Sequence, residues 1–464
     1  MKKNIIYVFA VITLLFGCKK NDEYIFDQSP DERVNKVLDD LQAKLANAPN
    51  GWKAVLTSAA NVDYNFYFDF NNENRVKMIS DFTKESSTDL KESSYRLKAM
   101  QQPALIFDTY SYIHIIADPD PNVNGGTPGE GLNSDFEFAY SPTNNTAKGD
   151  SLFFTGRFKG SKLVLVPATA AEETSILGGG YAKSWDFHTI SAYNTYRYGG
   201  QTYSWNIGGK IFTYFKRFTL GSTTYDINES TFDPFAKNIT ISWLDAGVVK
   251  SATSAYSFGL NAVNFKTPLV LNGVTLNSLG NFVWSDANTS LTANVNAGTQ
   301  TITIAGAAAP LLNNPNLPAE FRNNSINQDT YYESDYGFFR DGVYNAFGID
   351  QLTITNGRYY NMIYWAEYGS NYDLVAPLFV VNGALNLAFG FAGINNNAAN
   401  PIVKNGMLSL AASGTVGTNP TTASWQNTMT LLRAAGGHYI VKKNSTNYDM
   451  VSADGRSWIS WSLD

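Results

Sequence analysis

Cys18 is the only cysteine in the chain. The chain therefore forms no internal disulfide, and no segment beyond residue 18 carries a thiol nucleophile or a thiolate metal ligand. The three histidines, His114, His188 and His438, are far apart, and none has a partner at zinc-ligand spacing. His114 sits in Tyr112-Ile113-His114-Ile115-Ile116. On a strand it faces the same way as Tyr112 and Ile116, which suits a hydrogen-bonded wall residue better than a ligand. No Gly-x-Ser-x-Gly elbow, phosphate-cradling glycine loop or dinucleotide fingerprint is present.

Oxygen ligands and carboxylates leave two further candidates. Asp120, Asn122 and Asn124 place side-chain oxygens at alternate positions before Gly125, as in the first half of a calcium loop. Gly131 stands where the closing acid belongs, with Glu130 one place early. A plain hairpin loop is the competing reading, and calcium is the only cofactor the sequence suggests. Glu333, Asp335 and Asp341 cluster in an aromatic-rich stretch and could serve glycoside hydrolysis only if two of them converged across a cleft. Otherwise they decorate a solvated loop. A third pattern is aromatic. Trp185, Tyr193, Tyr196, Tyr198, Tyr203 and Trp205 fall among Asn, Ser, Thr and Gly. Exposed rings of this kind stack on sugars or on a protein partner, and the alternative is a pair of strands with half-buried aromatics.

Cys18 also ends a short apolar run. Lys2 and Lys3 precede Ile5 to Phe16, which only Thr13 interrupts. This is the charge-then-apolar form of an export signal, spanning residues 1–17. The run is shorter than the roughly 20 apolar residues a spanning helix needs. Leu15-Phe16-Gly17-Cys18 resembles a bacterial lipobox, which makes Cys18 the expected lipid attachment point. Residues 18–28 form a lipid-anchored tether, and Lys19-Lys20-Asn21-Asp22-Glu23 within it favours the cell-surface leaflet of the outer membrane. Acyl chains contribute ~0.8 kcal/mol per buried CH2, and stable anchoring needs more than one chain.

Removal of residues 1–17 takes away two lysines and shifts the formal charge from −6 to −8. A mildly acidic chain without clustered Lys and Arg has no electrostatic case for nucleic acid. Charged residues are 16% and aromatics 14%, a balance that suits a β-rich extracellular protein.

The expected fold is mainly β. An N-terminal amphipathic helix leads into an antiparallel meander, a lipocalin-like barrel or curved sheet, followed by further β-rich blocks. Ser29-Pro30-Asp31-Glu32 reads as a capped helix start, and Val34, Val37, Leu38, Leu41 and Leu45 form its apolar stripe. From Trp52 the period is two. Tyr64, Phe66, Phe68 and Phe70 alternate with Asn65, Tyr67 and Asp69. A further strand is expected over 112–117. The helix and first β-domain fill 29–170, a boundary falls near 170–183, a second β-rich domain spans 184–310 and a third spans 328–464. Pro310 to Asn327 reads as a linker. Tyr95-x-Leu97 with Ala104-x-x-Phe107 is echoed by Tyr256-x-Phe258 with Ala262-x-x-Phe265, the gap differing by three residues.

Ser29-Pro30-x-Glu32-Arg33, Ala48-Pro49-Asn50-Gly51-Trp52, Ser94-Tyr95-x-Leu97, Phe107-Asp108-Thr109-Tyr110-x-x-Ile113-His114 and Asp135-Phe136-Glu137-Phe138 together resemble a Bacteroidota lipoprotein family of unknown function, domain of unknown function 4302. The resemblance implies a surface or periplasmic lipoprotein tied to nutrient acquisition beside outer-membrane uptake proteins. It supplies no catalytic residues. The expected function is that of a non-enzymatic binding or accessory module, held to the membrane by its N-terminal lipid and taking a glycan, peptide or partner protein. The alternatives are a carboxylate hydrolase and a purely structural envelope lipoprotein.

Overall fold

The computed structural model describes residues 29–145, 149–191, 195–198, 201–204, 211–228, 237–287, 289–369, 372–387, 389–411, 413–416 and 421–464. The chain opens with the expected helix, Pro30–Ala46, whose capping box joins Ser29 and Glu32. Leu41 and Leu45 are its buried residues that enter the first core.

Eight strands follow, Trp52–Thr57, Asp63–Phe70, Arg75–Ser80, Lys91–Ala99, Pro103–Phe107, Glu137–Tyr140, Leu152–Gly156 and Lys162–Pro167, each antiparallel to the next. The first pairs with the eighth, Trp52 opposite Pro167 and Leu56 opposite Leu163, so the meander is a closed barrel. The alternation of the second strand points Tyr64, Phe66, Phe68 and Phe70 inward. There Phe66 stacks on Phe68 at 5.2 Å, and Phe70 meets Tyr95 edge-on at 4.9 Å. The opening helix covers this core, with Trp52 Nε1 donating to the Leu45 carbonyl at 2.9 Å and Gln42 to the Tyr95 hydroxyl at 2.6 Å. Gly51, which links helix to barrel, has φ +66°, and a Cβ there would lie 2.7 Å from the Phe68 carbonyl. Only glycine satisfies both constraints.

Residues 112–117 form a helix, Tyr112–Ala117, rather than the expected strand. Ile-rich sequence suits a strand locally, but Ile113 and Ile116 lie three apart and both reach the barrel core, which the helical period allows.

A second closed barrel uses Phe215–Leu220, Thr223–Asn228, Asn238–Asp245, Val248–Gly259, Ala262–Leu271, Val274–Trp284, Ser290–Val295 and Thr301–Ala307, again in sequence order. Asn272 and Gly273, both at positive φ, make the predicted hairpin turn. The segment before it begins as helix, Ala170–Leu177 and Gly180–Ser191, and the second of these lays Trp185 and Phe187 into the second barrel's core. The sequence echo marks one position in both barrels, the hairpin of the fourth and fifth strands. Tyr95 pairs with Phe107 in the first, and Tyr256 with Phe265 in the second.

The two barrels meet over buried polar groups. Asp81, fully buried, accepts from Asn65 N at 2.9 Å and Asn65 Nδ2 at 2.6 Å. Lys237, on the second barrel, places Nζ 3.8 Å from Asp81 and 4.3 Å from the Phe258 ring centre. Burial raises the Asp81 pKa and lowers that of Lys237, while their mutual attraction opposes both shifts. At the edge, Lys266 pairs with Asp63 at 3.0 Å.

The third unit is a 13-stranded sheet. Its main path runs Val403–Lys404, Met407–Leu408, His438–Lys442, Asn447–Ser452, Ser457–Leu463, Tyr332–Ser334, Gly357–Gly369, Tyr372–Val381, Phe391–Asn395 and Ser413–Val416. One face holds two helices. Leu317–Gln328 supplies Phe321, stacked 4.1 Å from Tyr332, and Ala423–Leu432 supplies Trp425, Met429 and Leu432. The stretch 310–327, expected to be a linker, is therefore largely helical from Leu317. Its prolines belong to the approach and first turn, where Pro318 is tolerated, while Asn323, Asn324 and Asn327 lie within the helix itself. The other face of the sheet packs in part on the second barrel, where Tyr214 and Phe215 meet Trp458, Tyr439 and Val451.

An ion pair is buried between helix and sheet. Arg322 Nε and Nη2 each donate to Asp373 at 2.9 Å. The Tyr364 hydroxyl donates to the same carboxylate at 2.5 Å, and Glu367 N at 2.9 Å. Removing Asp373 leaves Arg322 mostly buried with the largely exposed Glu367 carboxylate, 3.1 Å away, as its remaining ionic partner. Asp373→Ala should lower unfolding free energy by about 3–5 kcal/mol, read from urea denaturation.

His438 is fully buried, and burial depresses its pKa to about 4. Below pH 6.5 the unfolded chain binds a proton there that the folded chain does not, so folding stability falls with pH until the folded imidazole also protonates near pH 4. Stability should drop by roughly 3 kcal/mol from this group between pH 6.5 and 4. His438→Phe should flatten that part of the profile in urea melts at pH 7, 5.5 and 4.5.

Candidate functional site

The outer face of the third sheet carries a row of aromatic rings over an apolar base of Ile363, Leu374, Ala376 and Leu378. Strand alternation builds the base. Met362, Tyr364 and Ala366 point to the helix-bearing side, so Ile363 and Trp365 point away from it. On the neighbouring strand Tyr332 is inward, which turns Tyr331 and Glu333 outward. Tyr331 lies 5.3 Å from Trp365, and Trp365 lies 5.3 Å from Tyr368. Tyr368 then approaches Tyr372 at 6.2 Å and Phe391 at 6.3 Å.

Regular alternation would put residues 365 and 368 on opposite faces. The register shifts between Trp365 and Gly369, and Glu367 takes the left-handed backbone region at φ 53°. This bulge brings Tyr368 round to join Trp365. The Glu367 amide is fastened to buried Asp373, so the ion pair behind the sheet holds the turn that completes the row in front. Tyr368 remains 42% exposed and Tyr360 44%.

The edge of the row is acidic and amidic. Asn361 Nδ2 donates to Glu333 Oε2 at 2.5 Å. Tyr331 is pushed up to about 12 by burial first, then by the Asp464 and Glu333 carboxylates. Rings with amide and carboxylate oxygens beside them suit a flat, hydroxylated ligand.

Other residues singled out from sequence fall elsewhere. Trp185 is buried, its ring 5.1 Å from Phe258, so it fills the second barrel and does not offer a stacking face. Tyr196 and Tyr198 lie on Thr195–Tyr198, paired with Gln201–Ser204, which contains Tyr203. Tyr193, Trp205 and Cys18 lie outside the described residues. Glu333, Asp335 and Asp341 have separate engagements. Glu333 meets Asn361, the Asp335 charge helps raise the Tyr359 pKa, and Asp341 pairs with Arg456 at 2.6 Å.

The alternating oxygens at 120–124 cap a helical turn, Pro121–Asn124. Asp120 Oδ1 accepts from Asn122 N at 2.9 Å, and Asn124 Oδ1 from Gly126 N at 2.7 Å. Glu130 lies in the following turn, where its amide donates to the Thr127 carbonyl at 2.9 Å. Among the described residues no group of three or more His, Cys, Asp or Glu is placed to hold a metal. His114 is a structural tie. Its Nδ1 accepts from Ser111 N at 3.2 Å, Nε2 donates to the Phe107 carbonyl at 3.1 Å, and burial lowers its pKa. Asp135 is another, accepting from Phe158 N, Lys159 N and both the amide and hydroxyl of Ser161.

No curated protein matches the chain. Among solved structures, the DNA polymerase III beta subunit from Thermotoga maritima aligns over 93% of this chain and 96% of its own, at 7% identity and a TM-score of 0.13. A score that low carries no argument. One family profile, described as a domain of unknown function, matches residues 22–285, which include the whole first barrel and six strands of the second. The capping box, Gly51, Tyr95, His114 and Asp135 that shape the first barrel all lie within that match, and the chain belongs to the family described as Domain of unknown function (DUF4302).

Proposed function

We propose that the chain is a lipid-anchored, non-enzymatic binding module of the outer-membrane surface, and that the aromatic row of the third sheet takes a saccharide. The observation that carries this reading is the contiguous run Tyr331, Trp365, Tyr368, Tyr372 and Phe391, built on a rigid sheet and edged by Glu333 and Asn361. The apolar faces of sugar rings stack on such side chains, and their hydroxyls reach the neighbouring Glu333 carboxylate, which buried Asn361 orients from within the sheet. Cys18 would hold the module to the membrane, and an uptake protein beside it would receive the captured ligand.

Glycan-array screening of the full chain, followed by titration calorimetry with the best oligosaccharide, tests the ligand. Tyr368→Ala should weaken binding roughly two- to thirteenfold, the loss of one stacking ring at ~0.5–1.5 kcal/mol. Its melting temperature should stay near that of the parent, because the side chain is 42% exposed. Unchanged affinity in Tyr368→Ala would remove this face from consideration.

Anchoring has its own readout. Cys18→Ala should move the protein from the membrane fraction to the soluble fraction, with thermal unfolding unchanged. Retention in the membrane would refute lipidation at this residue.

A further inference from the structure

A second surface on the molecule has the chemistry of a small-ligand site. A hollow of about 540 Å³ lies across the last three strands of the first barrel, lined by Gln102, Ala139, Ser141, Phe153, Thr155, Lys162 and Val164 with the backbone about Phe154 and Gly156. Its size falls within the range of small-molecule sites. Outward positions of neighbouring strands form the floor. Ala139 pairs with Thr155, Phe153 with Val164, and Thr155 with Lys162. The small Ala139 leaves the depression, and Phe153 and Val164 give it an apolar surface. Asn145 locks one wall by accepting from Phe153 N at 2.7 Å and donating to the Phe153 carbonyl at 3.1 Å.

Four polar groups surround this floor, the Gln102 amide, the Ser141 and Thr155 hydroxyls and the Lys162 ammonium. None of these side chains makes a hydrogen bond or ion pair with another described residue. Two nearby arginines, by contrast, are paired. Arg157 is satisfied by Glu137 at 2.8 Å, and Arg96 is paired with Asp108. Among the described residues the hollow thus combines one exposed cation without an ion-pair partner, three hydrogen-bonding groups and a partly buried ring.

We infer that the hollow is a binding site for an acidic sugar unit, with the carboxylate on Lys162, the ring against Phe153 and Val164, and the hydroxyls on Gln102, Ser141 and Thr155. A neutral sugar would leave the cation unanswered, and a simple aliphatic acid would leave the three polar groups unused. The site is separate from the aromatic row, and neither requires the other.

Ligand-observed NMR and calorimetry on the full chain, with glucuronic acid, glucose and acetate as probes, decide the matter. Glucuronate should bind at least tenfold more tightly than glucose or acetate. Lys162→Gln should cost roughly tenfold for glucuronate and leave the weak glucose affinity unchanged, since a charge-assisted contact is the stronger kind. Thr155→Val, on an exposed position, should weaken glucuronate without altering the melting temperature. Tyr368→Ala should leave glucuronate binding at this hollow intact, which separates it from the aromatic row. Equal affinity for glucuronate and glucose, no binding of glucuronate at 10 mM, or an unaffected Lys162→Gln variant would each overturn the assignment.

Discussion

The Arg322–Asp373 ion pair is the constraint on which the third sheet and its outer face both depend. A charge pair out of water persists only when its remaining lone pairs and protons are met. Here Tyr364 and the Glu367 amide meet them from the sheet, and Arg322 arrives from the covering helix. The arrangement ties three elements together at one carboxylate. It also sets the backbone at Glu367 in a conformation that non-glycine residues seldom adopt. That bend gives Tyr368 its place beside Trp365. The surface row is thus a consequence of an interior polar network.

The barrels follow a different logic. Their inward positions carry large rings and branched aliphatics, and their ends receive Leu41 and Leu45 in one case and Trp185 and Phe187 in the other. An eight-stranded barrel is just wide enough for its own side chains to fill. These interiors are filled by side chains as cores. The interface between barrels joins an apolar contact, Leu260 against the cluster of Tyr67, Ile79, Ile176 and Tyr181, to the buried charges of Asp81 and Lys237. Such groups stabilise little for their cost, but they penalise any docking geometry that leaves one of them unanswered.

Much of the fold was legible because local and global preferences agreed. The Tyr64–Phe70 alternation, the Ser29 capping box and the Asn272-Gly273 turn each state one structure, and each is found. The β-branched content of Tyr112–Ala117 favours a strand locally, whereas its i, i+3 apolar pair fits the helix that forms. The helix at Leu317 was hidden by Asn and Pro in its approach. The aromatic row of the third sheet was the least legible part. Trp185 and its neighbours cluster in sequence, yet burial removes Trp185 from any surface. Tyr331, Trp365 and Phe391 lie on different strands, and strict alternation separates Trp365 from Tyr368. Only a bulge joins them, and the carboxylate that holds it is buried behind the sheet.

The echo between Tyr95–Phe107 and Tyr256–Phe265 bears on how the chain reached this form. In both barrels these residues are directly opposed on the fourth and fifth strands, with Leu97 and Phe258 two places on. The three-residue difference in spacing is shared along the hairpin, since the first barrel has one more residue in the turn between Ala99 and Pro103 than the second has between Gly259 and Ala262, and one more on each strand between the turn and the opposed pair. Turn length is free to vary where register is not, because a one-residue slip would turn every core side chain to solvent. The core pairing survives in both barrels while the connecting turn differs. The same asymmetry leaves outward positions such as Ala139 and Lys162 free to change without disturbing the rings behind them.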